Sequence, residues 1–412
     1  MSVTAIHPYP VARTGAPPLA GLRLLDFTLH AAGPFCTQIL TMLGAECIKI
    51  ETAGRPDIFR KPHPVYGRME SATFDQVNAG KQSIRLNLKH PTGIALARRL
   101  VAVSDIVAES FRPGVMKRLG LDYETLAALR PGLVMVSVSA AGQSGPDSRH
   151  AGYAPLFGAA GGLGHLTGYP DGPPVEIRHV MDHSTGLTAT AAVLAACYRR
   201  KRTGQGQHVD VAATDVAMSF VGEALLQAAF TGVQPARRGN EMPGWSPHNV
   251  YRCQGEERWI AIAVRSDAHW RGLCERARHD QQSWVADPRY ATSEGRWQHR
   301  EALDQALSAW TAGQDRDALA ADLQAAGVPA FASCTSADVA ASPHLRARGA
   351  ITELADHPGR AVVGPPWRFA ATPARLDRGT PALGGHVDEV FGGLLGLPID
   401  EIRQLQQDEV IW

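Results

Sequence analysis

Paired cysteines, long apolar runs, an excess of either charge and the common metal and nucleotide signatures are all missing from this chain of 412 residues. Its six cysteines, Cys36, Cys47, Cys197, Cys253, Cys274 and Cys334, are scattered with no C-x-x-C pair. Neither a disulfide framework nor a zinc ribbon is indicated, and small core residues are the expected role. No run is long and apolar enough for a membrane helix. The opening MSVTAIHPYPVARTGAPP lacks the apolar core of a signal peptide, so a reduced, cytoplasmic location is the expectation. Lysine and arginine number 41 against 40 acids, a net charge of +1. That balance argues against a protein that coats nucleic acid or an anionic membrane, while leaving room for a local basic patch and a small anionic ligand. The 16 histidines include His150, His179, His183 and His208, none in H-E-x-x-H or similar spacing, so no metal is expected. No repeat or low-complexity tract is present.

What is there is an ordinary globular balance, 44% hydrophobic and 20% charged, in a chain long enough for two domains. LRLLDF (22–27) reads as a buried strand, Pro34 to Leu43 as a helix stopped by Gly44, and ECIKIE (46–51) as a second strand. A helix near 91–103, a strand at 105–109, a short helix near 123–129 and the strand LVMVSVS (133–139) follow. Strands alternating with helices predict an α/β fold with a mostly parallel sheet, whose ligands sit beyond the carboxyl ends of the strands. The first strand–helix turn, DFTLHAAGPF (26–35), lacks G-x-G-x-x-G, which disfavours a nicotinamide dinucleotide.

LFGAAGGLGHLTG (156–168) is expected to be a small-residue, glycine-rich loop. Ser184 to Arg202 reads as a long apolar helix beginning near Ser184 or Thr185, and HVDVA (208–212) as a strand. The character changes after about residue 225, with a loop-rich stretch, the strand WIAIAV (259–264) and helices near 267–277, 299–312 and 316–326. From Val328 the chain is again rich in proline and glycine, with a β-like AVVGPPWRF (361–369) and amphipathic helices near 387–395 and 399–407.

Asp182, in VMDHSTG (180–186), stands just before the long helix. Acids there are common as caps; a carboxylate behind a glycine-rich loop can also act as a nucleophile toward an activated acyl group. Lys81, Lys89, Arg112, Lys117 and Arg118 can meet phosphates or simply form a solvated face.

Ordered segments then point further. GLRLLDFTLHAAGPFCTQILTMLGAECIKIE (21–51), K-x-S-I-x-L-N-L-K at 81–89, DIVAESFRPGVMKRLG (105–120), TGYPDGPP (167–174), DHSTG (182–186) and RTGQGQHVDVA (202–212) resemble family III CoA-transferases, the CaiB/BaiF group of formyl-CoA transferase type. RRGN (237–240), AGVPA (326–330), SPHLRARG (342–349) and GLPIDEI (396–402) continue the match. The resemblance implies a Rossmann-like large domain built from both chain ends, 1–224 and 328–412, around a smaller α+β domain at 225–327, in an interlocked dimer. The pair is either a homodimer or a heteromer with a homologous subunit.

It also implies chemistry. Asp182 attacks an acyl-CoA thioester, giving a mixed anhydride and then an aspartyl-CoA thioester, from which a free carboxylic acid takes CoA. Coenzyme A is a substrate, and no cofactor is bound permanently. The resemblance carries CoA contacts to His30, Ala31, Leu86, Lys89, Ser110, Phe111 and Arg118, with Lys89 and Arg118 for phosphates and Phe111 for adenine. Tyr153 lies near the aspartate. A racemase of CoA thioesters is the rival within the superfamily, but it needs a histidine after the glycine, and Gly152 is followed by Tyr153. Arg178, His179 and His183, with Arg237, Arg238 and His248, suggest succinyl-CoA and dicarboxylic acids as substrates.

Overall fold

The computed structural model describes residues 15–52, 54, 56–61, 72–177, 179–354, 356, 359–374, 376 and 378–412. The chain divides into two compact units, one of 1–164, 176–233 and 343–412, the other of 165–175 and 234–342. Among the described residues no helix is long and apolar enough to cross a membrane.

The first unit is built on six strands: β1 (Arg23–Phe27), β2 (Glu46–Glu51), β3 (Gln82–Arg85), β4 (Ile106–Glu109), β5 (Val134–Ser139) and β6 (Gln207–Ala212). Every neighbouring pair is parallel, in the order β3-β2-β1-β4-β5-β6. This is a doubly wound α/β order that reverses between β1 and β4, and such a reversal opens a crevice at the strands' carboxyl ends. The helices are α1 (Ala32–Met42), α2 (Ala72–Asn78), α3 (Pro91–Ala102), α4 (Val115–Leu119), α5 (Tyr123–Leu129), α6 (Ala154–Ala160), α7 (Leu163–Leu166), α8 (Val180–Thr203), α9 (Ala213–Phe220) and α10 (Gly222–Thr231).

The strands are nearly all apolar because both faces are covered, as parallel sheets require. Leu25, Phe27, Ile48 and Val107 face a core with α3, α5 and the C-terminal Phe391, Ile402 and Ile411. Leu24, Cys47, Ile106 and Val136 face the other way, against α1, α8 and α9. Each such buried aliphatic side chain contributes about 1.5–3 kcal/mol.

Two expectations are corrected. The segment 156–168 is not an open loop; α6 and α7 occupy most of it. Its glycines serve close packing: a Cβ at Gly161 would collide with α9 at Ala217, and one at Gly158 or Gly164 with the Glu176 carboxylate. The long helix begins at Val180, four residues before Ser184, so Asp182 lies inside its first turn.

The second unit holds an antiparallel sheet of β7 (His248–Arg252), β8 (Trp259–Ala263) and β9 (Ala330–Ala332). Trp270, Trp284, Tyr290 and Trp310 fill its core. The pairing of β9 with β8, and Asp338 bonded to Arg258 and Arg316, tie 328–342 into this unit. In the first unit, a short hairpin (Ile351–Glu353 with Ala361–Val363), a π-helical turn (Asp388–Leu394) and a last helix (Ile399–Gln407) follow. Only three residues of the stretch 361–369 are strand.

Beneath the β1–α1 turn lies a buried ion pair. Lys81 Nζ, fully enclosed, sits 2.9 Å from Asp26 Oδ2 and donates to Thr37 Oγ1 (2.7 Å) and Asn78 Oδ1 (2.8 Å). Asp26 Oδ1 accepts the Thr28 amide at 2.8 Å, and Lys49 Nζ donates to the Thr28 carbonyl at 2.7 Å. Burial works to raise the Asp26 carboxyl, yet Lys81 and Lys49 hold it below its usual range. Lys81 is therefore a scaffold cation and has no proton to offer a phosphate. Lys81→Met leaves Asp26 buried and unpaired, so it should destabilise the protein by about 3–5 kcal/mol. Urea unfolding checks this, and adding Asp26→Leu should recover much of the loss.

Candidate active site

The carboxyl ends of β1 and β4 present two turns to the crevice. The first, Thr28–Ala31, carries His30 with φ 65°, a left-handed backbone that non-glycine residues seldom adopt. The His30 amide leans on Asp57 Oδ2 at 3.3 Å, and Asp57 in turn faces Lys49 at 3.6 Å. The second turn, Ser110–Phe111, is bonded to the first: the Leu29 amide donates to Ser110 Oγ at 2.9 Å. His30, Ala31, Ser110 and Phe111 thus belong to one constellation.

Asp182 reaches it from the first turn of α8. Gly186, one turn further along, lets α8 lie against the start of α1, since a Cβ there would stand 2.7 Å from the Ala32 carbonyl. Asp182 and Gly186 are four apart and share a helix face. The cap residue His179 also has φ 65°. Its carbonyl receives His183 Nδ1 at 2.8 Å, and the His183 ring meets Phe35 edge-on at 4.5 Å. Thr185 Oγ1 is buried without a partner among the described residues.

Burial pushes the half-buried Asp182 carboxyl above its usual range, while His183, His179 and His30 pull it back. A desolvated carboxylate near imidazoles, at the positive end of a 24-residue helix, has the chemistry a nucleophilic carboxylate needs. Tyr153, 71% exposed, meets His30 with ring centroids 6.5 Å apart.

The other expected contacts lie outward. Lys89 and Arg118 are exposed, one in the turn after β3 and one on α4. Leu86 is fully buried and bridges to Ile411, so it does not present the surface expected of a ligand contact. Of the cations named for a dicarboxylate, Arg178 lies outside the described residues. Arg237 donates to the carbonyls of His165, Tyr169 and Gly172, a brace for that segment. His248 is engaged by the Asn240 carbonyl at 2.7 Å, and Arg238 is exposed.

Glu109 and Asp57 escaped the sequence reading. Glu109 ends β4 and is 2% exposed. A charged residue closing an apolar strand was the available signal for it, as Lys49 within ECIKIE was for Asp57.

A sequence profile of CoA-transferase family III matches residues 19–387. The succinyl-CoA–D-citramalate CoA-transferase of Chloroflexus aurantiacus is 36% identical over 402 residues, 96% of this chain and 98% of that one. The succinate–glutarate CoA-transferase of Agrobacterium fabrum is 33% identical over 92% of this chain and 96% of its own. The crystal structure of a CAIB/BAIF family protein from Brucella suis superposes with a TM-score of 0.85 at 33% identity, over 92% of this chain and all of that one. The chain belongs to family III of the CoA-transferases and is an enzyme of that class.

An attack by Asp182 would require its ionised form, and on that reading kcat/KM should fall as pH drops through a value above the ordinary 3.8. His183→Gln removes one attraction and should move that acid limb to higher pH; a pH–rate profile of the two proteins checks it.

Proposed function

We propose that the protein moves CoA from an acyl-CoA to a free carboxylic acid on Asp182, with succinyl-CoA and a dicarboxylate-type acceptor as substrates. An Asp182 oxygen attacks the thioester carbonyl and the C–S bond breaks, leaving a mixed anhydride and CoA thiolate. The thiolate attacks the aspartyl carbonyl and expels the donor acid, forming aspartyl-CoA. The acceptor carboxylate attacks that carbonyl and releases thiolate, which then takes the acceptor's acyl group and frees Asp182. The amides of the first turn of α8 have no carbonyl one turn back and are the natural donors to the oxyanions. CoA enters along Ser110–Phe111 and His30–Ala31, with Lys89 and Arg118 toward its phosphates.

The observation that carries this reading is the constellation itself: Asp182, desolvated and ringed by His30, His179 and His183, at the switch point of the sheet. The dicarboxylate preference draws on the relatives' substrates. A paired chain is supported by α9 and α10, where Met218, Phe220, Leu225, Leu226 and Phe230 are exposed, Phe230 by 85%; apolar faces of this kind mark interfaces.

Incubation with an acyl-CoA panel should leave a CoA-sized adduct on the Asp182 peptide by mass spectrometry. Asp182→Ala should abolish it and lower turnover by roughly 10⁴-fold or more. Exchange of the α-proton with solvent deuterium and no adduct would replace the transferase by the racemase. Arg178→Ala and Arg238→Ala test acceptor choice: loss of a charge-assisted contact should cost about 10–100-fold in kcat/KM for dicarboxylates only, and unchanged kinetics in both would remove that assignment. Light scattering should give twice the chain mass, reduced by Leu226→Glu with Phe230→Glu.

A further inference from the structure

Glu109 is a buried acid without a cation. It closes β4 opposite Phe27 of β1 and Ser137 of β5. Its Oε2 accepts the Phe111 amide at 2.7 Å, and the Ser137 hydroxyl also bonds to it. Ser137 Oγ lies 2.9 Å from His208 Nε2 on β6, and the His208 ring stacks on Tyr123 of α5 at 5.5 Å. With Ser137 donating to the carboxylate, His208 Nε2–H donates to Ser137. The other charge bearing on Glu109 is repulsive, Asp210 of β6, itself held by the Gln143 amide at 2.8 Å. β1 offers only the Phe27 ring. The chain of bonds thus runs His208, Ser137, Glu109, Phe111 amide, and ends in the turn that Ser110 joins to Leu29.

We propose that Glu109 is a positioning residue for CoA: its carboxylate, backed by Ser137 and His208, fixes the backbone at Ser110–Phe111 on which CoA settles. The inference rests on those two residues being CoA contacts. An ionised acceptor holds an amide about twice as strongly as a neutral one, so the turn is firm when Glu109 is charged and slack when it is protonated. Burial, with Asp210, pushes the carboxyl up to about 7 against the Ser137 and Phe111 bonds, which puts the change in the neutral range. CoA binding, which needs the firm turn, then favours the ionised form and weakens as pH falls.

The stability sign is opposite. The folded carboxyl titrates near 7 and the unfolded one near 4.5, so the folded state loses stability as pH rises between those values and regains none above. Glu109→Gln should therefore bind CoA less well while melting no lower at pH 8. A merely structural role predicts a lower melting temperature and no pH-dependent change in binding.

Calorimetric titration of CoA into wild type, Glu109→Gln and Ser137→Ala from pH 6 to 8.5 tests this. The phosphates of CoA titrate alike in all three, so the ratio of wild-type to variant affinity carries the signal. The wild-type advantage over Glu109→Gln should grow by roughly tenfold between pH 6 and pH 8. Ser137→Ala removes a bond that favours the ionised form, so its midpoint should move to higher pH; this holds the test together if Glu109→Gln does not fold. A ratio independent of pH, or an unmoved Ser137→Ala midpoint, overturns the proposal. Wild type that binds no CoA at any pH removes the proposed function, and this inference with it.

Discussion

Asp26 and Lys81 meet where neither can reach water, and what lies above them follows from that meeting. A lone buried carboxylate would be costly enough to be neutral or to unfold its surroundings. Paired, and with Thr28, Thr37 and Asn78 taking the remaining bonding capacity, it becomes a rigid post. The post fixes Thr28, Lys49 fixes the same residue through its carbonyl, and Asp57 holds the next amide but one. The strained backbone of His30 is affordable only because both sides of the turn are bonded this way. The pair therefore shapes the turn above it while itself staying enclosed.

The second constraint is a missing side chain. Gly186 brings α8 so close to α1 that the first turn of α8 faces the β1–α1 turn directly. Two elements far apart in sequence then meet, with the positive end of the α8 dipole beside the β1–α1 turn. His179, in the left-handed region at the cap, turns the chain sharply enough for Asp182 to stand in the first turn instead of on the approach. Strain at His30 and at His179 thus flanks the same carboxylate, from two different elements.

The sheet was legible because parallel strands buried on both faces read as continuous apolar runs. β2 spans 46–51 as expected, and β1, β4 and β5 each begin one residue later than expected. Charged residues misled for the same reason. Lys81 follows Gly80 in an apparently exposed, basic stretch, and nothing local reveals a partner 55 positions earlier. The glycines of 156–168 suggested a loop, but their role is to let α6 and α7 receive α9 and the Glu176 carboxylate, contacts made only on folding. The α8 start was missed because Ser184 and Thr185 are good caps, while the actual cap is a histidine with an unusual backbone. Asp182 and the positions expected to contact CoA came from ordered motifs; periodicity alone could not separate a nucleophilic aspartate from a capping one.

Comparison of the buried acids separates scaffold from chemistry. Asp26 has Lys81, Glu51 has a bidentate Arg60, Asp75 has Arg360, and Asp105 has Arg130 and Arg200. Each of these carboxylates thus has a guanidinium or ammonium against it, which offsets the cost of its burial. Glu109 and Asp182 are different: burial raises both, and no lysine or arginine figures among the influences on either. Both stand at the carboxyl edge of the sheet, where the crevice opens. An acid buried without a strong cation has its proton affinity raised by desolvation. That is what the roles proposed for them require: a nucleophile in the case of Asp182, and an adjustable grip on a backbone amide in the case of Glu109. Among the described residues, the fold places its strong cations against the other buried acids and leaves these two without one.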